Sequence, residues 1–406
     1  MFIFTLTIII LVFLLDLTLS ILNYKNRNQP IPANVADVYD KKEYKKWLDY
    51  TMEIFKNSIL TKSVNTIVLI AFLTFGIFPK LATLSESLSK DRIIQTLIFF
   101  GLYIFISFIL NIGFNLYKTF NIEERYGFNK TTVKTFITDK LKSALLLILL
   151  GGPLIYLILF LFLKLGVVSL FYTWFILISI LLLVNILYTR VFIKLFNKLT
   201  PLPQGELYDA TQKLARELGY EIKTIAIMDA SKRSSRLNAF FSGFGKFKSI
   251  ILFDTLVEKC TTDQIISVLA HEIGHSKNKD VLRNFIVSSL QMAIYLFLLS
   301  FFLLSSEFAL AFGFDSIHLG FAFILFGILL EPIGIVLNIP LSAISRKAEY
   351  KADKIAKVTG YKDALISSLK ILGKENFTNL TPHPLVVKLT YTHPPVTQRI
   401  EALNKD

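Results

Sequence analysis

The sequence predicts an all-α polytopic membrane protein of seven transmembrane helices, with a small α+β domain containing a β-hairpin beside the bilayer. Three observations carry that prediction. Of the 406 residues, 53% are hydrophobic and 18% charged, whereas soluble chains carry about 25% charged residues; mean hydropathy is +0.56. Crossing the hydrocarbon core takes about 20 apolar residues, and seven such runs fall at 2–22, 64–85, 93–117, 143–163, 167–196, 284–312 and 317–341. Between the fifth and sixth runs lies a long polar stretch that alternates like strands in part. The chain therefore divides into 1–199 (five spans), 200–283 (the polar stretch), 284–341 (two spans) and a tail, 342–406.

The first run lacks a basic start and a small-residue cleavage site, so it reads as a retained helix. Asp16 within it is costly unless it faces a bundle interior. Loop charges orient the set. The 23–63 connection carries eight Lys and Arg and the 118–142 connection six, while the alternate connections hold only Lys90 and Arg92, Lys164, and none. The positive-inside rule puts the N-terminus outside and both the polar stretch and the tail in the cytoplasm. The net charge of +14 thus belongs to loops facing a lipid bilayer. It is no nucleic-acid footprint, since the basic residues form no cluster with interleaved aromatics. The single cysteine, Cys260, excludes an internal disulfide and a Cys-rich metal site.

In the polar stretch, 207–218 has helical periodicity and 221–228 alternates as a β-branched strand. Residues 236–257 read as a hairpin, with a Gly-rich turn at 242–246 and a second strand at 249–253. Thr261 and Gln264 form a capping-box pattern opening a helix. That helix reads as running with little break into the sixth span.

It carries His271-Glu272-Ile273-Gly274-His275. Histidines four apart sit about 40° apart around a helix, one turn up, so both imidazoles point one way. That suits Zn²⁺, with Glu272 in reach of a metal-bound water, and points to peptide hydrolysis. The bland alternative is a helix with two surface histidines; the cap and the strand pair argue against it. A hydrolytic zinc keeps three protein ligands and an open position. Glu349 follows the last span, with Asp353 one turn on. Such a pair is usually a solvated face, but Ala352 and Ala356 suggest packing against another helix. Glu349 would then be the third ligand, and Asp353 would accept the free N–H of a ligating histidine. Glu307 and Glu331 compete on composition alone. His393, before Pro394-Pro395, reads as a loop histidine whose aim the prolines fix. Asn238 reads as a turn residue before the hairpin. Asn185, Glu331 and Asn338, in or at the ends of spans, favour a wet cavity.

These segments, in order, resemble the type I CAAX prenyl proteases, integral-membrane zinc metalloproteases of the gluzincin clan. The resemblance rests on Glu124-Arg125-Tyr126-Gly127-Phe128-Asn129-Lys130-Thr131-Thr132, on 238–245 (NAFFSGFG) with 249–255 (SIILFDT), and on the His271–His275 pentapeptide. It extends to 345–353 and to Thr392-His393-Pro394-Pro395 with Arg399. It implies seven helices enclosing a water-filled chamber, and one Zn²⁺ per chain held by His271, His275 and Glu349. Glu272 is then the general base and His393 stabilises the oxyanion. Asn238 binds substrate backbone beside the hairpin, and substrate adds to the sheet edge at Ser249 and Ile250. Asp353 and Arg346 support the site, Arg346 on its substrate side. The implied substrate is a peptide or prenylated protein that loses its C-terminal tripeptide, and the enzyme is expected to be monomeric. The compact length suggests a prokaryotic version in a bacterial inner membrane; a eukaryotic one would sit in the endoplasmic reticulum. Two other readings remain: a quality-control metalloprotease without prenyl preference, and a transporter or receptor with a structural zinc. The second needs a fourth protein ligand that the sequence does not offer.

Overall fold

The structure is a computed structural model and describes residues 1–220, 224–242 and 249–405. Among them, six helices are long and apolar enough to cross a membrane: Phe2–Asn26, Lys41–Thr74, Arg92–Glu123, Val133–Phe196, Asp280–Leu304 and Leu319–Val358. The first three contain α1 (Phe2–Asn26), α2 (Lys41–Thr74) and α4 (Arg92–Tyr117), with α3 (Ile77–Leu88) between the last two. Helix α2 starts at a capping box: the Asp40 carboxylate accepts from Glu43 N–H, and the Glu43 carboxylate accepts from Asp40 N–H. It then runs without a break from polar sequence into apolar sequence. The expected span 64–85 is therefore corrected. It is cut at Gly76, whose φ of 61° ends one helix and starts another. The crossing lies within α2, and α3 turns back against α4, burying Phe78 and Ala82.

The stretch Val133–Phe196 cannot be one rod. At 1.5 Å per residue its 64 residues would reach about 96 Å, some three times the hydrocarbon core. It comprises α5 (Val133–Leu146), α6 (Gly152–Leu165), α7 (Ser169–Leu187) and α8 (Ile193–Phe196). Gly166, at φ 58°, breaks it between α6 and α7, which then pack on one another. The runs expected at 143–163 and 167–196 lie on either side of that break. Wide π-helical turns, Leu147–Gly151 and Tyr188–Phe192, join α5 to α6 and α7 to α8.

Outside the bundle a four-stranded sheet has the order β1 (Leu199–Pro201), β2 (Thr224–Met228), β4 (Ser249–Phe253), β3 (Ala239–Ser242). β1 and β2 are antiparallel, β2 and β4 parallel, β4 and β3 antiparallel. The hairpin expected over 236–257 is present as β3 and β4; residues 243–246 of the turn expected at 242–246, and the first residues of the strand expected at 221–228, lie outside the described residues. β1 had no counterpart in the sequence reading. β4 is central, and Ile250, Ile251 and Leu252 on it are fully buried.

One face of the sheet is covered by α9 (Glu206–Glu217) and, after the short α10 (Asp254–Lys259), by α11 (Thr262–Lys277). Thr261 and Gln264 close the expected capping box on α11. The helix ends at Asn278, and Lys279 at φ 56° redirects the chain into α12 (Asp280–Leu304). The break is two residues, enough to turn Asp280 back toward α11. After α13 (Ser306–Leu310), α14 (Leu319–Val358) runs unbroken through 341, so the boundary drawn there falls inside one helix. Its lower half packs across α11, and α15 (Lys362–Glu375), α16 (Pro384–Thr390) and α17 (Val396–Asn404) complete the layer.

Candidate metal centre and active site

Helices α11 and α14 cross at Gly274. A Cβ there would stand 2.9 Å from Ala352 Cα and 3.1 Å from its carbonyl oxygen, so only glycine permits this approach. Ala352 and Ala356 are fully buried in the same contact. The crossing carries Glu349, one turn before Ala352, to the histidines. His271 and His275 Nε2 lie 3.1 Å apart, His271 Nε2 is 3.5 Å from Glu349 Oε2, and His275 Nε2 is 3.3 Å from Glu349 Oε1. An ion bonded tetrahedrally at about 2.0–2.1 Å holds its ligand atoms about 3.3–3.4 Å apart, close to these spacings, in which each histidine faces a different oxygen of Glu349. Glu349 is 3% exposed, and its Oε2 has no hydrogen-bond partner among the described residues. A buried carboxylate oxygen that makes no hydrogen bond, with an imidazole nitrogen and a guanidinium each 3.5 Å away, has room for a closer cation. The residues present therefore fit a metal ion, and these three could hold one. Neither Glu307 nor Glu331 joins them.

Both histidines are fixed from behind. Asp353 Oδ1 is 2.8 Å from His271 Nδ1, and Asp280 Oδ2 is 2.8 Å from His275 Nδ1. These bonds place the N–H on Nδ1 and leave each Nε2 lone pair for a metal. Arg399 donates to both Asp353 oxygens, at 2.5 and 2.9 Å, and its Nη1 stands 3.5 Å from Glu349 Oε2. Arg283 donates to Asp280 at 2.7 Å. Burial works against charge on His275, but the hydrogen bonds to Glu349 and Asp280 outweigh it and raise its pKa to about 9.

Glu272 lies on the neighbouring face of α11, and its Oε2 accepts from Phe241 N–H at 3.2 Å. It shares a cavity of 160 Å³ with Asn238, His271, Glu349, His393 and Arg399. His393 Nε2 is 3.3 Å from Glu349 Oε1, and its side chain, 67% exposed, lines the cavity mouth. Of the two edge strands, β1 and β3, the one that lines the cavity is β3. Phe253 N–H bonds Asn238 O, so in this antiparallel pair Asn238 and Phe240 direct their backbone groups to β4. Ala239 and Phe241 direct theirs outward. Both outward amides are capped by side chains: Ala239 N–H by Asn238 Oδ1 at 2.9 Å, and Phe241 N–H by Glu272.

Two expectations are corrected. Ser249 and Ile250 are not on an edge: β4 is hydrogen-bonded on both sides, which leaves no backbone groups for another strand. Arg346 does not face the cavity. It donates to the carbonyls of Val387 at 3.0 Å and Tyr391 at 2.6 Å, capping the end of α16 just before His393. Asp353 touches His271 and Arg399 and is buried away from the cavity, which makes it a positioning group. The sequence reading gave no role to Arg399 beyond a matched position and missed Asp280 and Arg283. An acid five residues after His275 was the only available signal for Asp280.

A buried two-histidine, one-carboxylate cage beside a second glutamate and an edge strand, in a chain with several membrane-length apolar helices, defines a membrane metallopeptidase. Family models agree. Residues 20–198 match the CAAX prenyl protease N-terminal region, five membrane helices, and residues 201–406 match peptidase family M48. The chain belongs to family M48. It is 32% identical over 403 residues to the CAAX prenyl protease 1 homolog of Oryza sativa, covering 97% of this chain and 95% of that one. It is also 32% identical to the CAAX prenyl protease 1 of Saccharomyces cerevisiae, covering 92% and 88%. The crystal structure of S. mikatae Ste24p superposes with a TM-score of 0.94 at 32% identity, over 100% of this chain and 99% of that one.

Proposed function

We propose that this metallopeptidase uses one Zn²⁺, held by His271, His275 and Glu349, to remove the C-terminal tripeptide from prenylated Cys-a-a-X substrates. The observation that carries the reading is the buried cluster of His271, His275 and Glu349, whose Oε2 makes no hydrogen bond among the described residues, with Glu272 lining the same cavity. When bound, zinc supplies a Lewis acid that acidifies water and polarises a carbonyl. Glu272 takes the proton of the attacking water and returns it to the leaving amine. His393 swings over the carbonyl oxygen and donates to it as charge builds. A substrate strand adds along β3, taking the outward groups of Ala239 and Phe241. Asn238 releases Ala239 N–H to it and turns its own amide to the substrate backbone. Arg399 and Asp353 hold His271, Asp280 and Arg283 hold His275, and Arg346 sets the loop of His393. The names of the relatives support the prenylated substrate. Seven spans, with Gly166 as an outer turn, give an outside N-terminus and a cytoplasmic site; the enzyme works as a monomer. The test is hydrolysis of a farnesylated Cys-a-a-X peptide by purified protein, with chelator and with zinc restored. Activity that survives full metal removal overturns the proposal.

A further inference from the structure

A second cavity, of 580 Å³, lies on the far side of the sheet from Glu272. Its wall is aromatic: Tyr188, Phe192, Phe196, Phe240 and Phe253, with Met228. The Phe240 ring lies 6.2 Å from that of Tyr188, tilted by 60°, and 6.3 Å from that of Phe253, edge-on, centroid to centroid. The edge strand β3 contributes to both cavities. Ala239 lines the first, Phe240 lines the second, and Asn238 lines both. This is the pleat of β3, whose side chains alternate between faces.

A peptide strand added along β3 alternates in the same way. Of the residues around its scissile bond, one directs its side chain over Glu272 and its neighbour directs its side chain to the aromatic pocket. We infer that this pocket takes the isoprenoid chain on the substrate cysteine; the inference rests on the substrate reading given above. The pocket's position suits a chain that arrives from lipid. Tyr188 and Phe192 come from the π-helical turn that links an apolar helix to the sheet. Beside the pocket, Val191 and Leu195, one turn apart, are 43% and 39% exposed. A π-turn inside a helix redirects side chains and recurs at functional sites. Here it aims two rings at β3.

The double variant Tyr188→Ala, Phe192→Ala tests this, because both side chains are partly exposed and their loss spares the core. Hydrolysis of a farnesylated peptide and of its unmodified twin is compared. The expected result is a loss of about tenfold or more in kcat/KM for the farnesylated peptide, with the twin changed less than about twofold. Equal loss for both peptides marks a structural effect and overturns the inference. So does a variant that keeps the wild-type preference, and in that case the substrate reading stands. If wild-type enzyme cleaves both peptides alike, the substrate reading and the inference fall together. A photoreactive isoprenoid on the same peptide gives an independent readout. It should label 188–196, and label confined to other helices overturns the inference.

Discussion

Glu272 touches no metal-binding atom, and its carboxylate rests on one strand amide. Replacing it with Gln therefore keeps the cage and removes the base. Glu272→Gln should retain one zinc per chain by emission spectrometry while kcat falls by roughly 10²–10⁴; normal turnover would exclude the mechanism. Cys260 gives a second prediction at this scale. Burial, with the nearby Glu375 charge, pushes its thiol up to about 11. The fold favours the neutral thiol, so this contribution to stability is complete below the ordinary thiol pKa and is lost as pH rises toward 11. At pH 8 the folded protein should react with iodoacetamide about a hundredfold more slowly than the unfolded chain. Rates that match would remove the argument for burial.

The site depends on one crossing between two helices far apart in sequence. Gly274→Val puts a side chain into the Ala352 backbone. Overpacking of this kind costs about 1–3 kcal/mol, and here the relief is to push α14 away with Glu349 on it. The variant should lose most of its zinc yet keep its helical circular dichroism. Full zinc occupancy would show that the crossing tolerates a side chain. The strands make the complementary point. Hairpin residues were readable from alternation and a Gly-rich turn. Which strand formed the edge was not, because β2 reaches β4 from a distance in sequence and covers the side that a lone hairpin leaves open.

For the whole molecule, the loop charges make a topological prediction. With Cys260 changed to Ser, a cysteine at Ser89 should react with an impermeant maleimide from outside the cell. One at Asn278 should react only after permeabilisation. Labelling in the reverse pattern would invert the orientation and separate the site from cytoplasmic substrates. Apolar run length picked out the long apolar helices but not their ends. A helix continues for as long as its backbone bonds are made and its faces are covered, so α2 and α14 run well past the apolar part of their sequence.

The sequence by itself determined the class of fold, the two histidines and Glu272, because periodicity and spacing on one helix are local properties. It also made Glu349 and Asp353 a pair on one face. Only the tertiary structure decided that this face meets α11 at Gly274. It alone turned Asp280 back onto His275, placed Arg399 behind Asp353, committed Arg346 to α16 and made β3 the edge strand that lines the cavity. Each is a contact between segments that no periodicity links, set by how closely two backbones approach and by which buried polar group needs a partner.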